Sequence, residues 1–215
     1  LYRANYVTLD FERAFNHHHI PYRIYGGMKF YARREVKDVL AYFHLIVNTK
    51  DDISLERIIN VPKRGIGETT IKKIKFEARE ANLSVYDYIN SYEFNNSEIS
   101  KKNIGILKAL VKRIDMLRDD VNNDEEMFSK TLEDFISEIG YYEALTKEED
   151  GLERIENVKA LFQDLRGFLK EFPTATFDEY LLILQKDIVL LVEFHLSFLH
   201  IFQFQFFLLL LYPNN

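Results

Sequence analysis

The chain has 215 residues, 47% hydrophobic and 29% charged, a globular composition with room for one ordinary domain or a domain and part of another. It contains no cysteine, which excludes a disulfide scaffold, thiolate zinc sites and cysteine nucleophiles and fits a reducing cytoplasm. The net charge of −6 excludes a polycation, so any nucleic-acid binding must use a local basic patch.

No signal peptide is visible in the first twenty residues, which are polar and His-rich. LYRANY (1–6) begins without methionine and reads as the end of a buried strand already under way, so a fragment is expected. Residues 1–30 have an α/β pattern. LYR is strand-like, Thr8 to His18 forms a short helix, and IPYRIYGG (20–27) is a β-branched and aromatic run closed by a glycine pair. From Arg33 the period becomes helical. Val36, Leu40, Phe43, Ile46 and Val47 share one face of a helix of about four turns. TKDD (49–52) signals a turn and a domain boundary.

Beyond it only helices are expected. Ile53–Ile59 and Thr69–Ala81 form two of them. Leu107, Leu110, Val111, Ile114 and Leu117 repeat at helical spacing, as do Leu152, Ile155, Val158, Leu161, Leu165 and Phe168. Thr131 with Asp134, and Thr176 with Glu179, signal helix starts. The fold class is therefore mainly α: an all-helical domain over 51–187, preceded by an incomplete α/β segment over 1–50. Residues 188–215 differ. Their first 25 residues, IVLLVEFHLSFLHIFQFQFFLLLLY, hold one charge, Glu193, yet scattered His and Gln and the lack of basic flanks argue against a bilayer span. Out-of-frame reading of T-rich DNA is the favoured source of this tail; a membrane span and a buried helix or strand pair are the other readings.

VPKRGIGETTIKK (61–73) is the stretch with most chemical content. Neither it nor any other segment has the G-x-x-x-x-G-K-[ST] spacing of a nucleotide loop. Pro62 ends the preceding helix and Gly65–Gly67 makes a tight turn. A second helix then starts, and its first amides point at whatever anion approaches. Thr69 and Thr70 can add hydroxyls, and Lys63, Arg64, Lys72 and Lys73 supply the field. Such a hairpin grips a DNA phosphate without reading bases; the competing reading is a glycine turn with a solvated basic face.

Other clusters carry less. GGMKFYARREVKD (26–38) interleaves Lys29, Arg33, Arg34 and Lys37 with Phe30 and Tyr31, which suits single-stranded nucleic acid, although the start of an amphipathic helix is the better reading. His17, His18 and His19 point in different directions, so no metal site is expected from them. DDVNNDEE (119–126) fails the calcium-loop pattern, because the sixth and twelfth positions counted from Asp120 are Glu125 and Thr131. No motif places a catalytic triad or paired carboxylates, and no catalytic residue is assigned.

LYRANY…IPYRIYGGMKFYARREVKDVLAYFHLI, followed by DDISLERIINVPKRGIGETTIKKI, resembles the UvrD/PcrA/Rep family of superfamily 1 DNA helicases. The likeness runs in order to residue 75 and more weakly to about residue 187. It implies that residues 1–50 belong to the RecA-like subdomain 2A and 51–187 to the helical subdomain 2B. By resemblance, Tyr2, Arg3, Asn5 and Lys29 line the single-strand track. Arg64, Gly65, Ile66, Gly67, Thr69 and Thr70 meet the backbone of duplex DNA. The intact parent would be an ATP-dependent 3′-to-5′ helicase of DNA repair or replication, using ATP and magnesium in the cytoplasm. Its partners would be a single-strand/duplex junction and proteins that dock on 2B, with no membrane among them. The Walker A loop and the DExx box are missing from this sequence, and the tail stands where a K-G-L-E segment and a final arginine motif should follow. No cofactor is therefore expected in this chain, nor ATP hydrolysis by it alone. A stand-alone helix–hairpin–helix DNA-binding protein and a membrane-anchored regulatory protein are the alternatives.

Overall fold

A computed structural model describes residues 30–123 and 128–182, with Ala14, Phe15, Ile20 and Leu184; the side chains of 120–123 are not described. The expected strands at 1–3 and 22–25 and the apolar tail lie outside the described residues. Within them all regular structure is helical. The chain divides into two compact units, Leu1–Thr174 and Ala175–Asn215.

In the first unit a 3-10 turn, Phe30–Ala32, leads into α1 (Arg34–Val47). The sequence suggests one apolar face for α1, but it is buried on nearly every side. Val39, Ala41, Tyr42 and Leu45 are buried alongside Val36, Leu40, Phe43 and Ile46, while Val47 is partly exposed. A helix apolar all round belongs in the centre of a core, and α1 packs against α2 (Asp52–Ile58), α5 (Lys101–Asn123) and α8 (Gly151–Glu171). Phe43 meets Phe162 edge to face at 5.7 Å, and Tyr42 meets Phe135 in the same manner at 5.6 Å. The turn at 48–50 is present as expected, yet α1 and α2 on its two sides pack directly on one another.

Charged groups of α1 and its lead-in are buried with these apolar ones. Arg33, Glu35 and Asp38 are 7%, 2% and 5% exposed. Such charges need partners, and each has them. Glu35 accepts from Asn157 Nδ2 at 2.7 Å and pairs with Arg154 at 2.8 Å; Arg33 donates to Asn157 Oδ1 at 2.7 Å. Asp38 pairs with Arg57 of α2 at 2.7 Å and accepts from the Tyr141 hydroxyl at 2.9 Å. Burial, then the Asp38 charge, pushes the Tyr141 phenol well above its usual range, so it remains a donor.

The remaining elements follow from local chemistry. Asp51 caps α2 by accepting from the Ile53 and Ser54 amides. After α3 (Glu68–Glu80), Asn82 takes a left-handed conformation and the Leu83 amide closes on the Ala78 carbonyl at 2.9 Å. Ser84 then caps the short α4 (Val85–Asn90), which the periodicity does not reveal. α5 buries Leu107, Leu110, Val111, Ile114 and Leu117 as its spacing predicts. The expected helix start at Thr131 is corrected. α6 (Phe128–Glu138) already includes Phe128, whose ring joins Leu132, Phe135 and Ile136 on the buried face. Gly140, with φ of 79°, turns the chain into α7 (Tyr141–Thr146). A Cβ at Gly151 would lie 2.2 Å from the Leu145 carbonyl oxygen, so only glycine lets α8 start this close to α7. The stripe of α8 is buried at Val158, Leu161, Leu165 and Phe168, whereas Leu152 is exposed. In the second unit, Thr176 and Glu179 form the expected capping box: the Thr176 amide donates to Glu179 Oε2 at 2.8 Å, and the Glu179 amide to Thr176 Oγ1 at 3.3 Å.

Two outcomes follow from α1 being the central helix. Glu35→Ala strands the Arg33–Asn157–Arg154 cluster and should lower unfolding free energy by about 3 kcal/mol in urea titration. A chain started at residue 51 lacks α1 and should lose cooperative unfolding and near-ultraviolet circular dichroism, which a chain started before residue 30 keeps.

Candidate nucleic-acid interface

The turn between α2 and α3 is built almost entirely from its own polar atoms. α2 ends at Ile58, the Val61 amide donates to the Ile58 carbonyl at 3.0 Å, and the Val61–Pro62 peptide is cis. Asn60 then organises the loop. Its Oδ1 accepts from the Arg64 amide at 2.8 Å and the Ile66 amide at 3.2 Å, so one side chain closes both sides of the turn. Gly65 has φ of 79°, a backbone state that costs a side-chain-bearing residue energy. Ile66 is 1% exposed and pins the middle of the turn to the core. Gly67 is the N-cap of α3 in extended conformation and offers no capping side chain. The first intrahelical bond joins the Ile71 amide to the Gly67 carbonyl at 3.1 Å. The amides of Glu68, Thr69 and Thr70 therefore have no intrahelical acceptor, and the helix dipole places partial positive charge among them.

The structure divides the basic residues into three kinds. Lys63 is exposed beside the turn. Lys72 and Lys73 are held in ion pairs with Glu68 and Glu98, each at 2.6 Å. Arg64 turns inward. Its Nη1 donates to the carbonyls of Ile58 and Val61, each at 2.8 Å, and its Nη2 to the Tyr42 hydroxyl at 2.8 Å. The Arg64 side chain, expected to add to the positive field of the turn, is thus held on the Ile58 carbonyl at the end of α2 and on the Val61 carbonyl of the loop. Gly65, Gly67 and Thr69 are exposed at the turn, while Thr70 is half-buried and accepts weakly from Asn103 Nδ2 at 3.5 Å.

The other candidates separate clearly. Phe30 and Tyr31 are core residues and Arg33 is buried with them, so they present no stacking platform for bases. Arg34 pairs with Glu148. Tyr2, Arg3, Asn5, Lys29 and the three histidines at 17–19 lie outside the described residues; of the acidic connection 119–126, residues 119–123 form the last turn of α5 and 124–126 lie outside the described residues. Among the described residues no group of three or more His, Asp or Glu could hold a metal ion. The sequence reading missed Asn60 and Tyr42. The first carries a signal, since an Asn at a helix end just before proline favours a side-chain-closed turn. The second lies 22 residues from Arg64 and carries none.

Comparison with known proteins points to one family. The model of the UvrD-like helicase C-terminal domain matches residues 1–199. A probable DNA helicase II homolog of Rickettsia felis is 37% identical over 178 residues, covering 79% of this chain and 27% of that protein. An ATP-dependent DNA helicase PcrA of Staphylococcus epidermidis is 36% identical over 161 residues, covering 74% of this chain and 21% of that protein. DNA helicase II of Rickettsia typhi is 36% identical over 179 residues, with 79% and 27% covered. The chain therefore spans about a quarter of the length of the curated relatives it matches.

The conformation of the turn is testable without a ligand. Gly65→Ala should cost about 1 kcal/mol of stability in urea titration because of its positive φ. Gly67→Ser, with ordinary φ, open space for a Cβ and a hydroxyl able to cap α3, should be at least as stable as the parent, by up to about 0.5 kcal/mol.

Proposed function

The chain belongs to the family of UvrD-like helicase C-terminal domains, and from that premise we propose that it is the part of an ATP-dependent 3′-to-5′ DNA helicase that rests on duplex DNA. The helicase works in DNA repair or replication in the cytoplasm. The observation that carries the reading is the open start of α3. Glycine stands at its N-cap, three amides lack intrahelical acceptors, and Lys63 is exposed in the turn that precedes it. A phosphate fits that chemistry, and a contact made by backbone amides carries no base information. The turn would thus follow a duplex of any sequence, as a translocating enzyme requires. Lys63, Gly65, Gly67 and Thr69 form the contact surface, Ile66 anchors it from below, and Thr70, Lys72 and Lys73 flank it. Tyr2, Arg3, Asn5 and Lys29 serve the single strand.

ATP and magnesium belong to the motor of the longer protein. The Walker A spacing is absent from these 215 residues, so no step of ATP chemistry is assigned to them.

Fluorescence anisotropy of a labelled 20-base-pair duplex tests the reading. The expected dissociation constant is about 10 μM or weaker at 0.1 M salt, rising steeply as salt increases. Lys63→Ala should weaken binding and reduce the slope of log K against log salt by about one. Affinity that is indifferent to salt, or a lysine variant with the parent's slope, overturns the assignment.

A further inference from the structure

We infer that Tyr42 and Arg64 are positioning residues for the turn: a latch that fixes the direction of its open amides while touching no DNA. The inference rests on the duplex-backbone reading and adds to it the device that makes the contact directional.

Three observations carry it. First, the half-buried Arg64 guanidinium donates inward. It joins the Ile58 carbonyl at the end of α2, the Val61 carbonyl of the loop and the Tyr42 hydroxyl, all at 2.8 Å. A planar fork of fixed donors can span such a set, and a lysine ammonium on its flexible stem cannot reproduce it. Second, the Tyr42 hydroxyl uses both its capacities: it donates to the Val61 carbonyl and accepts from Arg64. Its ring is 2% exposed, so it is out of reach of any ligand. Burial raises its pKa above that of an ordinary phenol, with Arg64 opposing the shift, so the donor is retained at neutral pH. Third, the ring is itself fixed. It packs edge to face on Phe135 of α6, over which the Arg113 guanidinium lies at 6.0 Å. The loop carbonyl, Arg64, Tyr42 and Phe135 thus join the turn to α1 and α6.

Direction matters because an amide–phosphate hydrogen bond weakens steeply as its angle departs from linear. Asn60 closes the loop internally and Ile66 seats its middle on the core; the latch adds a directional tie from the loop to α1.

The experiment uses the full chain with Tyr42→Phe, Arg64→Lys and the double variant. Duplex affinity is read by anisotropy well below each variant's unfolding midpoint, with circular dichroism confirming the fold. Each single variant should bind about five- to tenfold more weakly, the scale of one lost internal hydrogen bond. The double variant should be within about twofold of the weaker single one, since both break one unit. The salt slope should match the parent's, because neither change removes a cation. An Arg64→Lys variant with parental affinity overturns the inference, for a phosphate contact tolerates any cation and a latch does not. Parental affinity in Tyr42→Phe, which is the milder change and carries the test if Arg64→Lys does not fold, overturns it as well. A parent chain that fails to bind the duplex overturns the duplex reading itself, and this inference falls with it.

Discussion

The fold depends on the ionic partners of one central helix. Glu35 and Asp38 lie on α1 inside the first compact unit, where an unpaired carboxylate would cost several kcal/mol. Their partners come from elements more than a hundred residues away as well as from the next helix: Arg154 and Asn157 on α8, Tyr141 on α7 and Arg57 on α2. Apolar packing around α1 would tolerate a slide or a small rotation of its neighbours. Paired charges do not, because each bond has a length and a direction. The network therefore contributes registry more than net stability. Through the Asp38–Arg57 pair it also ties α2, from which the turn to α3 departs, to α1.

That turn repeats the same logic on a smaller scale. Its amides are divided between two uses. Those of Arg64 and Ile66 are satisfied inside the loop by Asn60, while those at the start of α3 are left open by a glycine N-cap. A serine or aspartate at position 67 would be the ordinary choice for stabilising α3. Its side chain would also fill the site that an incoming phosphate oxygen would take. An uncapped helix start beside a loop closed by its own asparagine is the pattern expected where local stability has been yielded to binding.

Much of this was legible in the sequence. The glycine turn and the helix after it, the stripe of α5 and the capping box at Thr176 depend on neighbours within a few residues, and local patterns report them faithfully. What escaped reading depends on distance along the chain. α1 looked amphipathic because Glu35 and Asp38 count as polar in any periodicity, although each is buried against a partner supplied by a remote helix. Arg64 looked like a phosphate ligand because a basic residue beside glycines has that meaning until Tyr42 is seen to face it. The start of α6 was misplaced for a related reason: Thr131 offers a local cap, but burial of Phe128 draws the helix one turn earlier.

The inward turn of Arg64 also changes how the surface charge should be understood. With that guanidinium on the carbonyls of Ile58 and Val61, the positive field at the turn comes from Lys63, the α3 dipole, and lysines already paired with acids. The Lys72–Glu68 pair is 74% and 79% exposed, and exposed pairs of this kind hold their partners weakly. A phosphate can replace Glu68 as the companion of Lys72 at little cost, whereas replacing the carbonyls around Arg64 would dismantle the loop. Glu68 also sits in the first turn of α3, where its charge favours the helix dipole and opposes an approaching anion. On the proposed duplex reading, exchangeable pairs, an acid at the mouth and a net charge of −6 would together keep the grip weak. On the same reading, a weak, direction-dependent contact with a sequence-independent backbone would suit a surface that has to release and re-engage DNA.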